Sequence, residues 1–188
     1  PYTMCKVANH WAIIQSLKHI KKNNINGDLV ECGVFKGGNL ILYKKIIEQI
    51  GIEKKIFAYD TFEGMTEPGE HDQDLKDVKA LDTFKKYKSA KVPWCHSSID
   101  EVKKNISKFD INIDKDFIFI KGKVEETLKE TKNLPEKISL LRLDTDFYDS
   151  TKIELDVLFP RLQPGGVLII DDYGHWKGSK KAVDEYFE

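Results

Sequence analysis

The sequence predicts an α/β fold: a mainly parallel sheet with helices on both faces. Three observations predict it. Five short apolar runs end in acidic residues, in glycine or just before them, helical patterns separate these runs, and no run is long enough to be anything but a strand buried on both sides. The runs are Leu29–Cys32, Ile56–Tyr59, Phe117–Ile120, Ile138–Leu143 and Val167–Ile170. Strands alternating with helices pair in parallel, with right-handed crossovers.

The helices carry their own start and stop signals. Trp11, Ile14, Leu17 and Ile20 recur at three- and four-residue spacing ahead of the first strand, and Asn26-Gly27 stops that pattern. Ser98-Ile99-Asp100-Glu101 reads as a capping box opening an amphipathic helix through Val102 and Ile106. Ser150 is expected to cap a helix running to Leu158, and Pro160 with Pro164-Gly165-Gly166 to stop it and turn the chain into the fifth strand. The stretch from Thr66 to Val92, extending to about residue 97, is acidic and then lysine-rich and fits neither period. It reads as a mobile lid or substrate-facing insertion after the second strand rather than a core element.

Composition bounds the function. The 188 residues, 40% hydrophobic and 11% aromatic, suffice for one domain with a single core, taken as residues 1–188. Thirty basic residues balance thirty-one acidic ones to a net charge of -1, so neither nucleic acid nor a membrane surface is an expected partner. Only Arg142 and Arg161 are arginines. Cys5, Cys32 and Cys95 form no CxxC pair, which disfavours a disulfide framework or a thiolate zinc site and fits a reducing, cytoplasmic setting. No run approaches the ~20 apolar residues of a membrane span, and the N-terminus lacks a signal-peptide pattern.

The chemistry-bearing residues gather at predicted strand ends, where open α/β sheets bind ligands. Glu31 and Gly33 end the first strand, and Gly37-Gly38 opens the next helix. The spacing is G-x-x-x-G-G instead of the dinucleotide G-x-G-x-x-G, which disfavours NAD. A tight strand-to-helix turn with no ligand would read the same. Asp60, closing the second strand, stands where an acid meets a ribose diol, although an ordinary Asx turn would also place it there. An acid at both places suits an adenosine with a cationic amino-acid tail, which is S-adenosylmethionine. Asp144-Thr-Asp146 follows the fourth strand and Asp171-Asp172 the fifth. Four such carboxylates repel unless something positive sits among them, and all-oxygen donors favour Mg²⁺, then Ca²⁺ or Mn²⁺. A solvated, metal-free cluster is the alternative. His175-Trp176 reads as packing beside the site, and Cys32 as a small buried apolar side chain.

Glu31-Cys-Gly-Val, Tyr59-Asp-Thr-Phe-Glu-Gly-Met65, Leu141-Arg-Leu-Asp-Thr-Asp-Phe-Tyr-Asp-Ser-Thr151 and Gly165-Gly-Val-Leu-Ile-Ile-Asp-Asp-Tyr173 together resemble the macrocin O-methyltransferase family. The resemblance runs from Tyr2 to Phe187 and is weak only in the insertion. It implies a Rossmann-like S-adenosylmethionine-dependent methyltransferase fold and Mg²⁺-dependent O-methylation of a sugar. It makes Glu31, Gly33, Asp60 and Thr61 cofactor contacts, folds Thr3 and Met4 over the methionine end, and places Gly122 and Val124 at the adenine. It makes Asp144, Asp171 and Asp172 metal ligands and Asp146 the general base. The acceptor it implies is a small-molecule sugar, a nucleotide sugar or a glycan. Lid-bearing families of this kind often associate, so a homo-oligomer belongs among the expected states. In the family the chain continues beyond the helix that ends here at Glu188, so one or more C-terminal strands are expected to lie outside these residues. A catechol-type O-methyltransferase and a non-catalytic cofactor-binding module are the competing readings.

Overall fold

The computed structural model describes residues 1–188. The order is α1 (Val7–Lys22), β1 (Asp28–Cys32), α2 (Gly38–Ile50), β2 (Ile56–Asp60), α3 (Ala80–Lys88), α4 (Ile99–Ser107), α5 (Ile113–Asp116) and β3 (Phe117–Lys121), followed by α6 (Val124–Thr127), β4 (Ile138–Leu143), α7 (Tyr148–Leu158), β5 (Leu162–Ile170) and α8 (Lys177–Phe187). The strands form one parallel sheet in the order β3-β2-β1-β4-β5. The chain reverses direction across the sheet between β1 and β4, and the crevice at that switch point is where such sheets hold ligands.

Strand alternation sorts the core into two layers. Leu29, Ile56, Ala58 and Leu140 pack against Ile13, Leu17 and Ile20 of α1, Leu40, Tyr43 and Ile47 of α2, and Val102 and Ile106 of α4. Val30, Phe57, Tyr59, Leu141 and Leu143 face the other way, against Leu128, Leu155, Leu158 and Val183. Glu31 and Arg142, in register on β1 and β4, therefore lie on the α1–α2 side of the sheet.

Four local expectations change. Trp11 is 64% exposed, because the buried stripe of α1 runs through Ile13, Leu17 and Ile20 instead. Pro164-Gly165-Gly166 lies inside β5 as a bulge: Ile138 pairs with Leu162 and Leu140 with Val167. The step leaves residues 163–166 outside the pairing with β4, so Pro164 withholds no N–H from that ladder. Ser150 does not cap α7. It sits in the first turn and donates its hydroxyl to the carbonyls of Thr145 and Phe147, while the Tyr148 N–H is capped from the insertion by Asp72 at 2.8 Å. Ser98 does cap α4, accepting from the Glu101 N–H at 3.2 Å, but the Glu101 carboxylate turns to the Ser97 hydroxyl and Lys36 rather than completing a box.

The insertion has more structure than its composition suggests. It contains α3, and its acidic half is tied down. Asp72, 2% exposed, also accepts from the Gly69 N–H, and a Cβ at Gly178 would stand 2.0 Å from its Oδ1. Ala80 packs with Phe147 and Trp176, with Met65 and Trp94 against them.

The tips of β1 and β4 approach so closely that Gly33, at φ +86°, has no room for a side chain: a Cβ there would lie 2.0 Å from the Asp144 carbonyl oxygen. Gly33→Ala is expected to cost ~2–4 kcal/mol through a forced backbone shift at an unfavourable φ. Urea unfolding should show this as a lower midpoint at unchanged slope.

Candidate active site

A cleft lies over the carboxyl ends of the strands, where open α/β sheets bind their ligands. Gly33 and Phe35 border it after β1, Asp60 and Thr61 after β2, Gly122 and Val124 after β3, and Asp144 and Asp146 after β4, while Met4 reaches it from the N-terminal segment. Three of the seven non-glycine residues with positive φ, Phe35, Cys95 and Asp146, line this cleft. Strained backbone gathered at one place marks a functional surface.

Beneath the cleft Arg142 is wholly buried. Its Nη1 lies 2.7 Å from Glu31 Oε1 and 2.8 Å from Asp144 Oδ2, and its Nη2 lies 2.7 Å from Asp171 Oδ1 and 3.2 Å from the Cys5 sulfur. Asn39 also donates to Glu31 Oε1, at 2.9 Å, and the Tyr43 hydroxyl donates to Oε2. Burial opposes the guanidinium charge, but Glu31, Asp144 and Asp171 more than reverse this and hold Arg142 firmly protonated. Burial likewise outweighs the pull of Arg142 on Glu31 and raises its pKa.

Asp144, Asp171 and Asp172 each offer an oxygen within 4.8 Å of the others. Arg142 and Asn9 take Asp171 Oδ1, Arg142 takes Asp144 Oδ2, and the Asp146 N–H takes Asp172 Oδ2, so each carboxylate keeps one oxygen outside these bonds. Burial pushes Asp144 well up, with Asp172 and Asp171 adding to it against the pull of Arg142, and pushes Asp172 to about 6. Asp171 goes down, because Arg142 overcomes its burial. Asp146 is driven well up by burial and then by Asp172. Three converging hard oxygens, with one guanidinium against a larger number of acids, fit a divalent cation such as Mg²⁺.

The other expected residues divide. Asp60 borders the cleft, and its carboxylate stitches two turns together by accepting from the N–H groups of Val34 (2.7 Å), Phe35 (3.2 Å) and Phe62 (2.7 Å). The Thr61 hydroxyl donates to the Gly64 carbonyl at 2.6 Å and accepts from the Glu63 N–H. Glu31 does not border the cleft. Arg142, Asn39 and Tyr43 bond its carboxylate on the α1–α2 side. Thr3 also stands back from the cleft, packed on Gly38 and accepting from the Cys5 N–H. His175 is exposed, edge-on to Trp176. The positive group among the acids is Arg142, whose role is not legible from motif spacing. A lone charged residue, Arg142, inside the run Ile138–Leu143, whose other residues are apolar except Ser139, was the available signal.

The model of the family described as macrocin-O-methyltransferase (TylF) matches residues 1–188. The demethyldecarbamoylnovobiocin O-methyltransferase of Streptomyces niveus is 31% identical over 186 residues, which are 98% of this chain and 67% of that protein. The 8-demethyl-8-(2,3-dimethoxy-alpha-L-rhamnosyl)-tetracenomycin-C 4'-O-methyltransferase of Streptomyces olivaceus is 32% identical over 170 residues, 87% of this chain and 59% of that one. The chain thus spans roughly three-fifths to two-thirds of the length of these relatives. The solved O-methyltransferase NovP superposes with a TM-score of 0.83 at 30% identity, covering 98% of this chain and 73% of its own. The calicheamicin methyltransferase CalS11, at a TM-score of 0.72 and 17% identity over 98% of this chain and 72% of its own, shares the fold. With its full length matched by the family model, its sheet topology and the acids at its strand tips, the chain belongs to the macrocin-O-methyltransferase family.

Proposed function

We propose that this chain carries an S-adenosylmethionine-dependent, Mg²⁺-dependent O-methyltransferase acting on a sugar hydroxyl. The observation that carries the reading is the convergence of Asp144, Asp171 and Asp172 at the β4 and β5 tips, beside a cleft that runs on past the tips of β1, β2 and β3. The relatives support a sugar-bearing acceptor, since one is named for a rhamnosyl compound.

When bound, S-adenosylmethionine supplies a sulfonium methyl group, and Mg²⁺ supplies a Lewis acid that can chelate neighbouring hydroxyls. The protein does the rest. Asp60 keeps acceptor capacity toward a ribose diol, and Gly122 and Val124 border the adenine end. Asp144, Asp171 and Asp172 hold the metal, with Arg142 fixing two of them from below. Asp146, whose proton affinity is raised by burial and Asp172, accepts the hydroxyl proton as the oxygen attacks. Alignment of that oxygen with the methyl group contributes several kcal/mol toward the barrier. The insertion covers the acceptor from the side of Trp94.

A second reading has an observation of its own. Tyr87 stacks on Trp94 at 15° between ring planes, and Trp94 packs against Phe147 and Trp176, a surface that also suits a flat catechol. Turnover of a sugar panel against catechols decides between them, and turnover of neither favours a binding module.

Calorimetry should show binding of S-adenosylhomocysteine, and Asp60→Ala should weaken it by ~1.5–3 kcal/mol through lost charge-assisted hydrogen bonds. Equal affinity removes Asp60 from the site. Chelator should silence turnover and Mg²⁺ restore it. Asp144→Asn, Asp171→Asn and Asp172→Asn should each raise the Mg²⁺ requirement, whereas Asp146→Asn should keep it and slow turnover by ~10²–10⁴-fold. An Asp146→Asn enzyme rescued by extra Mg²⁺ would instead be a ligand variant. Arg142→Met, which strands Glu31 without its cation, should cost ~3–5 kcal/mol of stability in denaturant unfolding.

A further inference from the structure

Glu154 takes no part in the chemistry above, yet it is a carboxyl with no exposed surface, buried in the α7 layer beside Leu155 and Leu158. Both of its oxygens accept from one donor, the Thr145 hydroxyl, at 3.0 and 3.1 Å, with the Cys32 thiol as its other hydrogen-bonding neighbour. Burial pushes its pKa well above the usual carboxyl range. Leucine would pack the same place without the cost of taking a carboxyl out of water.

Thr145 is the middle of Asp144-Thr145-Asp146. Asp146 has φ +71°, in the left-handed region, a conformation that costs a non-glycine residue ~1–3 kcal/mol unless its surroundings enforce it. The Asp146 side chain is hydrogen-bonded to Asp172 and Trp176, and a few further bonds hold the backbone of the turn. The Asp146 N–H reaches Asp172 Oδ2 at 3.2 Å, and the Thr145 carbonyl accepts from the Phe147 N–H at 2.9 Å and the Ser150 hydroxyl at 3.3 Å. The Thr145 side chain is held by Glu154 alone. We propose that Glu154 is a positioning residue: through the Thr145 hydroxyl it locks the turn that presents Asp146 to the cleft. Its catalytic consequence rests on the reading of Asp146 given above, but the lock belongs to the turn and is measurable without turnover.

Hydrogen exchange at the amides of Asp146 and Phe147 reads the lock directly. In Glu154→Leu these two amides should exchange at least ~10-fold faster while those of β1 and β4 keep their protection. Thr145→Val, a cleft-lining change with little risk to folding, should do the same, and the double variant should be no looser than either single one. Glu154→Gln, whose amide oxygen still accepts from Thr145, should stay near wild type. Unchanged protection in Thr145→Val and Glu154→Leu overturns the proposal, and so does protection lost throughout β1 and β4, which would make Glu154 an ordinary core residue. If the turn loosens while kcat on a methylated acceptor is unchanged, the lock stands and the assignment of Asp146 as base falls. A ~10-fold or greater loss of kcat at constant KM for S-adenosylmethionine supports both.

Discussion

Everything at the strand tips depends on one buried guanidinium. Arg142 lies between β1 and β5 and binds an acid from each, Glu31 and Asp171, besides Asp144 two residues along its own strand. Burying such an ion costs several kcal/mol, and only well-placed partners repay it. Arg142 has three carboxylates, so the interaction fixes how β1, β4 and β5 align at the end where ligands bind. It also accounts for Glu31: the carboxylate anchors the cation beneath the floor of the cleft, with Asn39 and Tyr43 of α2 completing its bonds.

That anchor makes the acidic cluster possible. Without a fixed cation the carboxylates after β4 and β5 would escape their repulsion by protonating or by turning away. With Arg142 holding one oxygen of Asp144 and one of Asp171, Asp144, Asp171 and Asp172 each bring an oxygen within 4.8 Å of the others. The protein partly neutralises the cluster while leaving it short of positive charge, the condition that the proposed metal site requires.

The surroundings of the cleft are tied together across long stretches of sequence. Asp72 of the insertion caps α7 and leans on Gly178 of α8, and Asn9 of α1 donates to Asp171. The acidic half of the insertion is therefore part of the scaffold, whereas the lysine-rich half around α3 is exposed and carries the Tyr87–Trp94 stack.

The sequence by itself determined the strands, their parallel pairing and the gathering of acids at their carboxyl ends. Those features are local: apolar runs bounded by glycine and acid report burial on both faces, and period and spacing survive without coordinates. Family resemblance then supplied a division of labour among Asp144, Asp146, Asp171 and Asp172 that i, i+2 spacing could not. Tertiary structure decided the rest, because partners far apart in the chain set it. A lone arginine in a mostly apolar strand becomes the hub only once β1 and β5 flank β4, and Glu31 becomes its anchor for the same reason. Ser150 gives up the cap of α7 because Asp72 arrives from 76 residues away. The Pro164-Gly165-Gly166 bulge fits within β5 because the pairing with β4 steps from Leu162 to Val167, a fact of strand register rather than of sequence.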